Sequence, residues 1–481
     1  MLLSALMSPL DPSLGALPVA GLALDSRKVG PGFIFFAVPG THADGAAFAQ
    51  AAVERGAIAV VTQRPIDDLA DGVAQIIVED VRTVLAQAAA RFYQRQPATI
   101  VAVTGTSGKT SIAEFTRQIW AQLGIDAASL GTLGVVSPKG PDYGALTTPD
   151  PISLHQRLAQ LSDEGVTHLA MEASSHGLDQ RRLDGVRLSA AGFSNLSRDH
   201  LDYHENLSSY LNAKMRLFEV LLEQGKSAVI DADSDVAGQV IARAAQRGLK
   251  VFTTGRAGTG LTLRQAVAHS FASDLVIEHA GESFTLRLPL AGAFQVANAL
   301  VAAGLVITTG GAPTQVMAAL SKLKGAPGRL DHAGSCRGAE IYIDYAHKPD
   351  ALAKVLETLR PLTRGRLIVV FGCGGDRDPG KRPMMGEIAA ALADDVIITD
   401  DNPRSEDPAK IRAAILASAP QAREIGDRAG AIAAAINGLQ QGDILLIAGK
   451  GHETGQIIGA RVLPFSDHDV VASLLKVLSH E

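Results

Sequence analysis

Two cysteines in 481 residues, Cys336 and Cys373, are too few for a disulfide framework or a cysteine-rich zinc site. Both read as free thiols in a reducing compartment. No block of lysine and arginine interrupts the chain and the net charge is −6, so a partner held through a nucleic-acid backbone is not expected. No apolar run reaches the roughly 20 residues of a membrane helix; the longest, 299–307, is about half that length. The first 14 residues carry no Lys or Arg ahead of their short apolar stretch, which makes a poor secretory signal. Low-complexity tracts are lacking too, since 48 glycines and 22 prolines lie only slightly above average usage. What is present is 47% hydrophobic and 20% charged, enough to bury sizeable cores and to exclude global disorder. The expectation is a soluble, cytoplasmic, monomeric protein with no nucleic-acid or membrane partner.

The length favours about three domains. The dominant rhythm is a short β-branched run, a turn, then an Ala/Leu-rich helical pattern, which predicts α/β domains with parallel strands. Residues 33–38 and 57–62 read as strands around a helix at 46–55, and a helix at 81–95 runs to a linker at Gln96-Pro97. A buried strand at 99–103 opens the second domain and leads into a helix at 109–123. Further strands are predicted at 168–173, 190–195, 228–231 and 251–254. The alternating segment 261–290 reads as an antiparallel excursion, followed by a helix at 294–307. The Gly/Pro cluster at 325–334 reads as the second linker. Beyond it, strands at 340–345, 367–371, 396–399 and 444–448 alternate with helices, as in an open dinucleotide-fold-like sheet. The expected domains are 1–97, 98–328 and 329–481.

The strongest local signal is Gly105-Thr106-Ser107-Gly108-Lys109-Thr110-Ser111, placed between a strand and a helix as a phosphate loop requires. Its glycines let backbone N–H groups approach phosphate oxygens at a helix N-terminus. Lys109 would neutralise the β- and γ-phosphates and the Thr110 hydroxyl would ligate Mg2+. Val103 stands where the standard spacing has its first glycine. Glu172 and Ser174 follow at the end of a predicted strand, where ligands of open α/β sheets collect. In SRDHLDYH (197–204), His200 and His204 share a metal-compatible spacing, but Leu201 stands where a zinc-peptidase motif needs Glu. Lys214, in NAKMRLF, reads on its own as a surface lysine of a helix. In the third domain, DYAHKPDAL (344–352), the Gly-rich loop FGCGGDRDPGKRP (371–383), TDDNPRSEDP (399–408) and AGKGHE (448–453) end four strands. Together they mark one face of that sheet as a ligand site.

Taken in order, these motifs resemble the Mur ligases, ATP-dependent amide-forming enzymes of bacterial peptidoglycan synthesis. The resemblance runs through DSR (25–27), TGTSGKT (104–110), TTPD (147–150), MEASSHGLDQRR (171–182), the block from SRDHLDYH to Lys214, GAPGR (325–329), DYAHKPDAL, GDRDPGKRP, DNPR (401–404) and GKGHE (449–453). The set HGLDQRR, DNPR and GKGHE is similar to that of the members that add the third amino acid. The resemblance implies that meso-diaminopimelate is joined to the D-glutamate γ-carboxylate of UDP-N-acetylmuramoyl-L-alanyl-D-glutamate through an acyl phosphate, with ATP as co-substrate and two Mg2+ ions. It implies that Lys109, Glu172, His200 and Lys214 are catalytic. Thr110, Glu172, His200 and a carbamylated Lys214 would hold the metal, since a carbamate turns an ammonium into an anionic oxygen ligand. Asn298, Arg329, Asp344 and His347 would handle base, ribose and phosphates beside the phosphate loop. Ser26, Thr147, Thr148, Ser174, Gln180 and Arg182 would contact the UDP-substrate. Arg377, Asp401, Asn402, Pro403, Arg404, Gly449 and Glu453 would take the diaminopimelate, with Arg404 gripping its far carboxylate. Gln295 and Ser107 depart from the residues usual at those positions, which touches only fine nucleotide contacts.

Alternatives of the same chemistry are a lysine-adding ligase of this family or a folylpolyglutamate synthetase, with which the phosphate-loop element is shared. Outside that chemistry stand a phosphate-loop kinase or motor ATPase and a nucleotide sensor without catalysis. A sensor has no use for a ligand-bearing third domain, and folate enzymes lack the DNPR-type pocket as a set.

Overall fold

The computed structural model describes residues 1–7, 13–40, 44–67, 69–70, 72–142, 147–200, 203–269 and 271–478. The chain divides into two compact units, Met1–Gly260 with Val301–Pro313, and Leu261–Leu300 with Thr314–Glu481.

In the first unit, the strands Gly21–Ala23, Phe33–Phe36, Ala57–Thr62 and Ala74–Ile77 form a parallel sheet in chain order. Successive side chains point to opposite faces, so Ile34 and Phe36 join one core with Val61 and Leu85 while Phe35 joins another with Ala52 and Val60. Burial on both faces is why Phe33–Phe36 and Ala57–Thr62 read as continuous apolar runs. The helix Val81–Tyr93 starts where the Asp80 carboxylate accepts the N–H groups of Arg82 and Thr83.

A second sheet of the same unit runs in the order Lys250–Gly255, Ser227–Asp231, Ala190–Phe193, Thr99–Thr104, His168–Glu172, Ala127–Gly131, Gly134–Ser137, Gly140–Asp142. The first six are parallel and the last two join as antiparallel hairpin strands. Thr99–Thr104 lies between His168–Glu172 and Ala190–Phe193, with Val103 opposite Glu172 and Thr104 opposite Phe193. Three C-terminal strand ends thereby come together. Ala127–Gly131, with its small residues, carries no β-branched signature; it is a strand because its neighbours bury it completely.

In the second unit, Leu261–His269, Ala272–His279 and Glu282–Leu288 pair antiparallel, as the alternation predicts. The helix Ala293–Thr308 follows, with residues 293–300 belonging to this unit. A six-stranded sheet is ordered Asp331–Cys336, Ala339–Asp344, Ile444–Ala448, Leu367–Phe371, Asp395–Ile398, Arg423–Glu424, parallel except for its first strand. That first strand corrects part of the linker expected at 325–334. Asp331–Cys336 turns back through Arg337 and Gly338, both at positive φ, and pairs with Ala339–Asp344. No helix among the described residues is long and apolar enough to cross a membrane.

Candidate active site

The loop expected to bind phosphate follows Thr99–Thr104 and is shaped by two glycines at positive φ, Gly105 (144°) and Gly108 (89°). A Cβ at Gly105 would sit 2.0 Å from the Ser194 hydroxyl, so the backbone there approaches the neighbouring strand end as only glycine can. That strand end grips the loop: Ser107 N–H donates to Asn195 Oδ1, Ser194 Oγ donates to the Ser107 carbonyl, and Ser197 N–H donates to Thr106 Oγ1. The helix Lys109–Gln122 begins at Gly108 with no side-chain cap, leaving its first N–H groups directed into the loop. Thr110 and Ser111 are buried in its first turn. Lys109 Nζ donates to the carbonyls of Gly105 (2.8 Å) and Thr106 (3.0 Å).

Beside the loop, Glu172 is 2% exposed and accepts the backbone N–H of Thr132 at 2.7 Å and its hydroxyl at 3.1 Å. The same Thr132 hydroxyl meets Thr147 Oγ1 at 3.1 Å. Thr148 Oγ1 donates to the Glu172 carbonyl and accepts from Ser174, Arg182 Nη1 donates to the Thr148 carbonyl, and Gln180 Oε1 accepts from Arg182. Five of the six residues expected to contact the UDP-substrate therefore form one network with Glu172. Ser26 is separate, in the single turn Ser26–Lys28 capped by Asp25, whose carboxyl the Arg27 side chain holds down at about 2.

The helix Leu207–Arg216 starts with a capping box between Asn206 and Ser209. It puts Tyr210 and Lys214 four residues apart on one face. Lys214 is 1% exposed, its Nζ donating to the Gly105 carbonyl at 2.8 Å and lying 4.1 Å from the Tyr210 ring centroid. The surface lysine expected from the sequence is thus a buried one. A helix pattern shows where a residue points, not what covers it; the phosphate loop covers this one. Tyr210 is buried and packs against the imidazoles of His204 (5.1 Å) and His200 (6.1 Å). His200, at φ 53°, also meets His176 at 4.8 Å. Leu201 and Asp202, within the SRDHLDYH motif, lie outside the described residues.

Among the described residues no three His, Cys, Asp or Glu side chains form a metal cage. The donors expected for the metal are a threonine hydroxyl, a carboxylate and an imidazole. The two oxygen donors fit Mg2+ bound through few protein ligands with phosphate and water oxygens completing the shell; the imidazole is the less usual donor for that ion. Lys214, as an ammonium, would ligate only after conversion to an anion.

In the second unit, Asn298, Arg329, Asp344 and His347 come together. Asn298 donates to Gln295 Oε1, and Gln295 donates to the Arg329 carbonyl. The Arg329 guanidinium lies 4.5 Å over the Tyr345 ring. Asp344 accepts the N–H groups of Leu330 (2.6 Å) and Ala346 (2.7 Å), and burial pushes its carboxyl up to about 6 against the pull of Arg329. Burial holds the His347 imidazole well below its usual range, helped by Lys348 and Lys381, and its Nδ1 lies 2.7 Å from the Tyr345 carbonyl.

Also in this unit, the DNPR and GKGHE loops interlock through Lys450, which sequence reasoning passed over. It is 0% exposed, and Nζ donates to Asn402 Oδ1 (2.9 Å), Glu453 Oε2 (3.3 Å) and the Gly455 carbonyl (2.7 Å). Three protons meet three acceptors, so the charge is accommodated. A lysine between two glycines carries no helical or strand pattern; only the motif itself could have flagged it. Glu453 is also bonded by Asn402 Nδ2, so it is already engaged by one protein cation and one amide. Asp401 Oδ2 is buried with no hydrogen-bond partner among the described residues, and a Cβ on Gly449 would lie 2.7 Å from it. Pro403 is buried; its carbonyl is approached so closely by Gly375 that a Cβ there would lie 2.0 Å away. Arg404, at φ 52°, is held by the Ile457 carbonyl and donates through Nη1 to the Gly375 carbonyl at 2.7 Å. The loop acids do not claim it: Glu406 pairs with Arg382 and Asp407 caps the helix Pro408–Leu416. Arg377 is exposed on the neighbouring loop.

Three family descriptions match the chain: Mur ligase family, catalytic domain, over residues 18–93; Mur ligase middle domain, over 103–306; and Mur ligase, glutamate ligase domain, over 328–451. The chain is 60% identical over 472 residues to a UDP-N-acetylmuramoyl-L-alanyl-D-glutamate--2,6-diaminopimelate ligase of Bradyrhizobium diazoefficiens, covering 97% of this chain and 96% of that one. It is 57% identical over 466 residues to the protein of the same description from Agrobacterium fabrum, covering 97% and 95%. A solved structure of a UDP-N-acetylmuramoyl-L-alanyl-D-glutamate--2,6-diaminopimelate ligase superposes with a TM-score of 0.72 at 34% identity, covering 98% of each chain.

Proposed function

The chain belongs to the Mur ligase family, and from that premise we propose that it joins meso-diaminopimelate to the D-glutamate γ-carboxylate of UDP-N-acetylmuramoyl-L-alanyl-D-glutamate, an ATP-dependent step of peptidoglycan synthesis. A carboxylate does not react with an amine until an oxygen becomes a leaving group. The γ-phosphoryl group of ATP therefore passes to the substrate carboxylate, the amine attacks the acyl phosphate, and phosphate departs. The first step brings like charges together, so cations and N–H dipoles must be in place beforehand. In this reading the uncapped N–H groups of Lys109–Gln122 and the Lys109 ammonium bind the phosphates. Thr132, Thr147, Thr148, Ser174, Gln180 and Arg182 orient the UDP-substrate next to Glu172. Mg2+, held by Thr110, Glu172, His200 and a carbamylated Lys214, would supply charge neutralisation. Asn298, Arg329, Asp344 and His347 take the nucleotide. Asp401, Asn402, Pro403, Arg404, Gly449 and Glu453, with Arg377 at the rim, take the amino acid. Three domains, 1–97, 98–328 and 329–481, belong to the same reading, supported by the positions of the family matches, as do a monomeric state and a cytoplasmic location.

The observation that carries the choice of amino acid is Arg404, not claimed by Glu406 or Asp407 and presented beside a glycine loop. meso-Diaminopimelate differs from lysine by one carboxylate, which a guanidinium grips with two parallel hydrogen bonds. Arg404 is half-buried and has the Gly375 carbonyl as a resting partner, so lysine is disfavoured less than by a fully buried, unpaired cation. About 10- to 100-fold discrimination is expected. Measuring kcat/KM for both amino acids tests it: diaminopimelate wins with the wild type and loses most of its advantage in Arg404→Ala. Equal use of lysine by the wild type overturns the reading. Release of ADP must also depend on both the UDP-dipeptide and the amino acid; release with neither present indicates an ATPase.

A further inference from the structure

The turn that carries Arg329 is held from several sides, all within the second unit. Gly328 adopts φ 66°, and a Cβ there would lie 2.4 Å from the backbone nitrogen of His452. Its carbonyl accepts Tyr345 N–H at 2.8 Å and its own N–H donates to Asp331 Oδ2 at 3.2 Å. Leu330 sits at φ 50°, a left-handed conformation that is unfavourable for leucine and persists only where its surroundings over-determine it.

Asp331 Oδ2 has a second partner, His468 Nε2, at 2.9 Å. His468 stands in the first turn of the helix Asp467–Leu478, which is anchored independently of the turn. Asp467 is fully buried and pairs bidentately with Arg428 at 2.7 and 2.8 Å. Leu475 packs where a Cβ on Gly334 would be, so the helix rides directly on the strand Asp331–Cys336. An imidazole on an anchored helix thus holds the carboxylate that holds Gly328.

We propose that His468 is a positioning residue for the nucleotide: through Asp331 it fixes the turn that presents Arg329, and so sets how tightly ADP and ATP bind. The inference rests on the assignment of Arg329 to the nucleotide made above. The hydrogen bond to Asp331 raises the His468 pKa against the effect of burial, with Asp467 and Asp469 acting in the same direction as Asp331. The other charged groups on the packed elements are His332 and Glu340, paired with each other on the strand hairpin, Arg337 at its turn, Asp344 at its end, and Asp427 and Arg428 at the start of the helix Arg428–Asn437. With a raised pKa, His468 is protonated and its contact complete below that pKa; the contact weakens as pH rises through it.

Isothermal titration of the full-length protein with ADP and Mg2+, from pH 6.5 to 8.5, tests the idea. His468→Ala should weaken ADP binding about fivefold at pH 6.5 and flatten its pH dependence. His468→Arg, whose charge persists across the range, should keep wild-type affinity and also show a flat profile. A lowered melting temperature with unchanged ADP affinity in His468→Ala, or failure of His468→Arg to restore binding, overturns the proposal. Arg329→Ala separates the two claims. If it leaves ADP binding unchanged, the assignment of Arg329 fails; if it weakens binding while His468→Ala does not, only the role of His468 fails.

Discussion

Lys214 is covered by the phosphate loop and a tyrosine ring, so its replacement removes more than a chemical group. Lys214→Ala should abolish ligation and also cost about 1–3 kcal/mol of stability, from the lost bond to Gly105 and the emptied space beside Tyr210. Lys214→Met keeps the aliphatic stem and should recover part of that stability without recovering activity. Partial rescue of the alanine variant by a short carboxylic acid would identify the missing anion; full activity of Lys214→Ala would eliminate the carbamate role. Asp344 shows the opposite relation between charge and stability. Its folded pKa of about 6 lies above that of a free carboxyl, so its ionisation opposes folding and its contribution grows as pH falls through 6. The stability difference between wild type and Asp344→Asn should therefore be larger at pH 5 than at pH 7.5, by about 1–2 kcal/mol in denaturant titrations.

Helix starts decide where several of these groups stand. Asn206 satisfies the first turn of Leu207–Arg216 and thereby sets the rotation that stacks Lys214 on Tyr210. Asn206→Ala should cost about 1 kcal/mol in equilibrium unfolding and lower activity through the misplaced lysine. The start of Lys109–Gln122 differs, since Gly108 offers no side-chain cap to its first N–H groups. Strand ends act similarly. Residues 194–197 clasp the phosphate loop only because Ala190–Phe193 lies beside Thr99–Thr104, though about 90 residues separate them in sequence.

On the scale of the whole chain, two compact units imply that unfolding is not a single two-state event. Calorimetry should give a calorimetric enthalpy larger than the van't Hoff value. Saturating diaminopimelate should raise the transition of the unit containing DNPR and GKGHE by a few degrees and leave the other in place. A single transition moved as a whole by diaminopimelate would count against that assignment.

Much of this was legible in the residues. The β-branched runs at 99–103, 367–371 and 444–448 are strands because full burial selects such side chains whatever their neighbours. The Gly-rich turn before Lys109 is a loop because its φ values exclude other residues. Local chemistry of that kind is written in local sequence. Tertiary structure alone decided the rest: that Ala127–Gly131 is a strand, that Lys214 is buried, that Lys450 ties Asn402 to Glu453, and that His468 reaches Asp331 across 137 residues. Burial and pairing depend on what the chain brings from far away, and no pattern of neighbouring residues encodes which distant acceptor a cation will find.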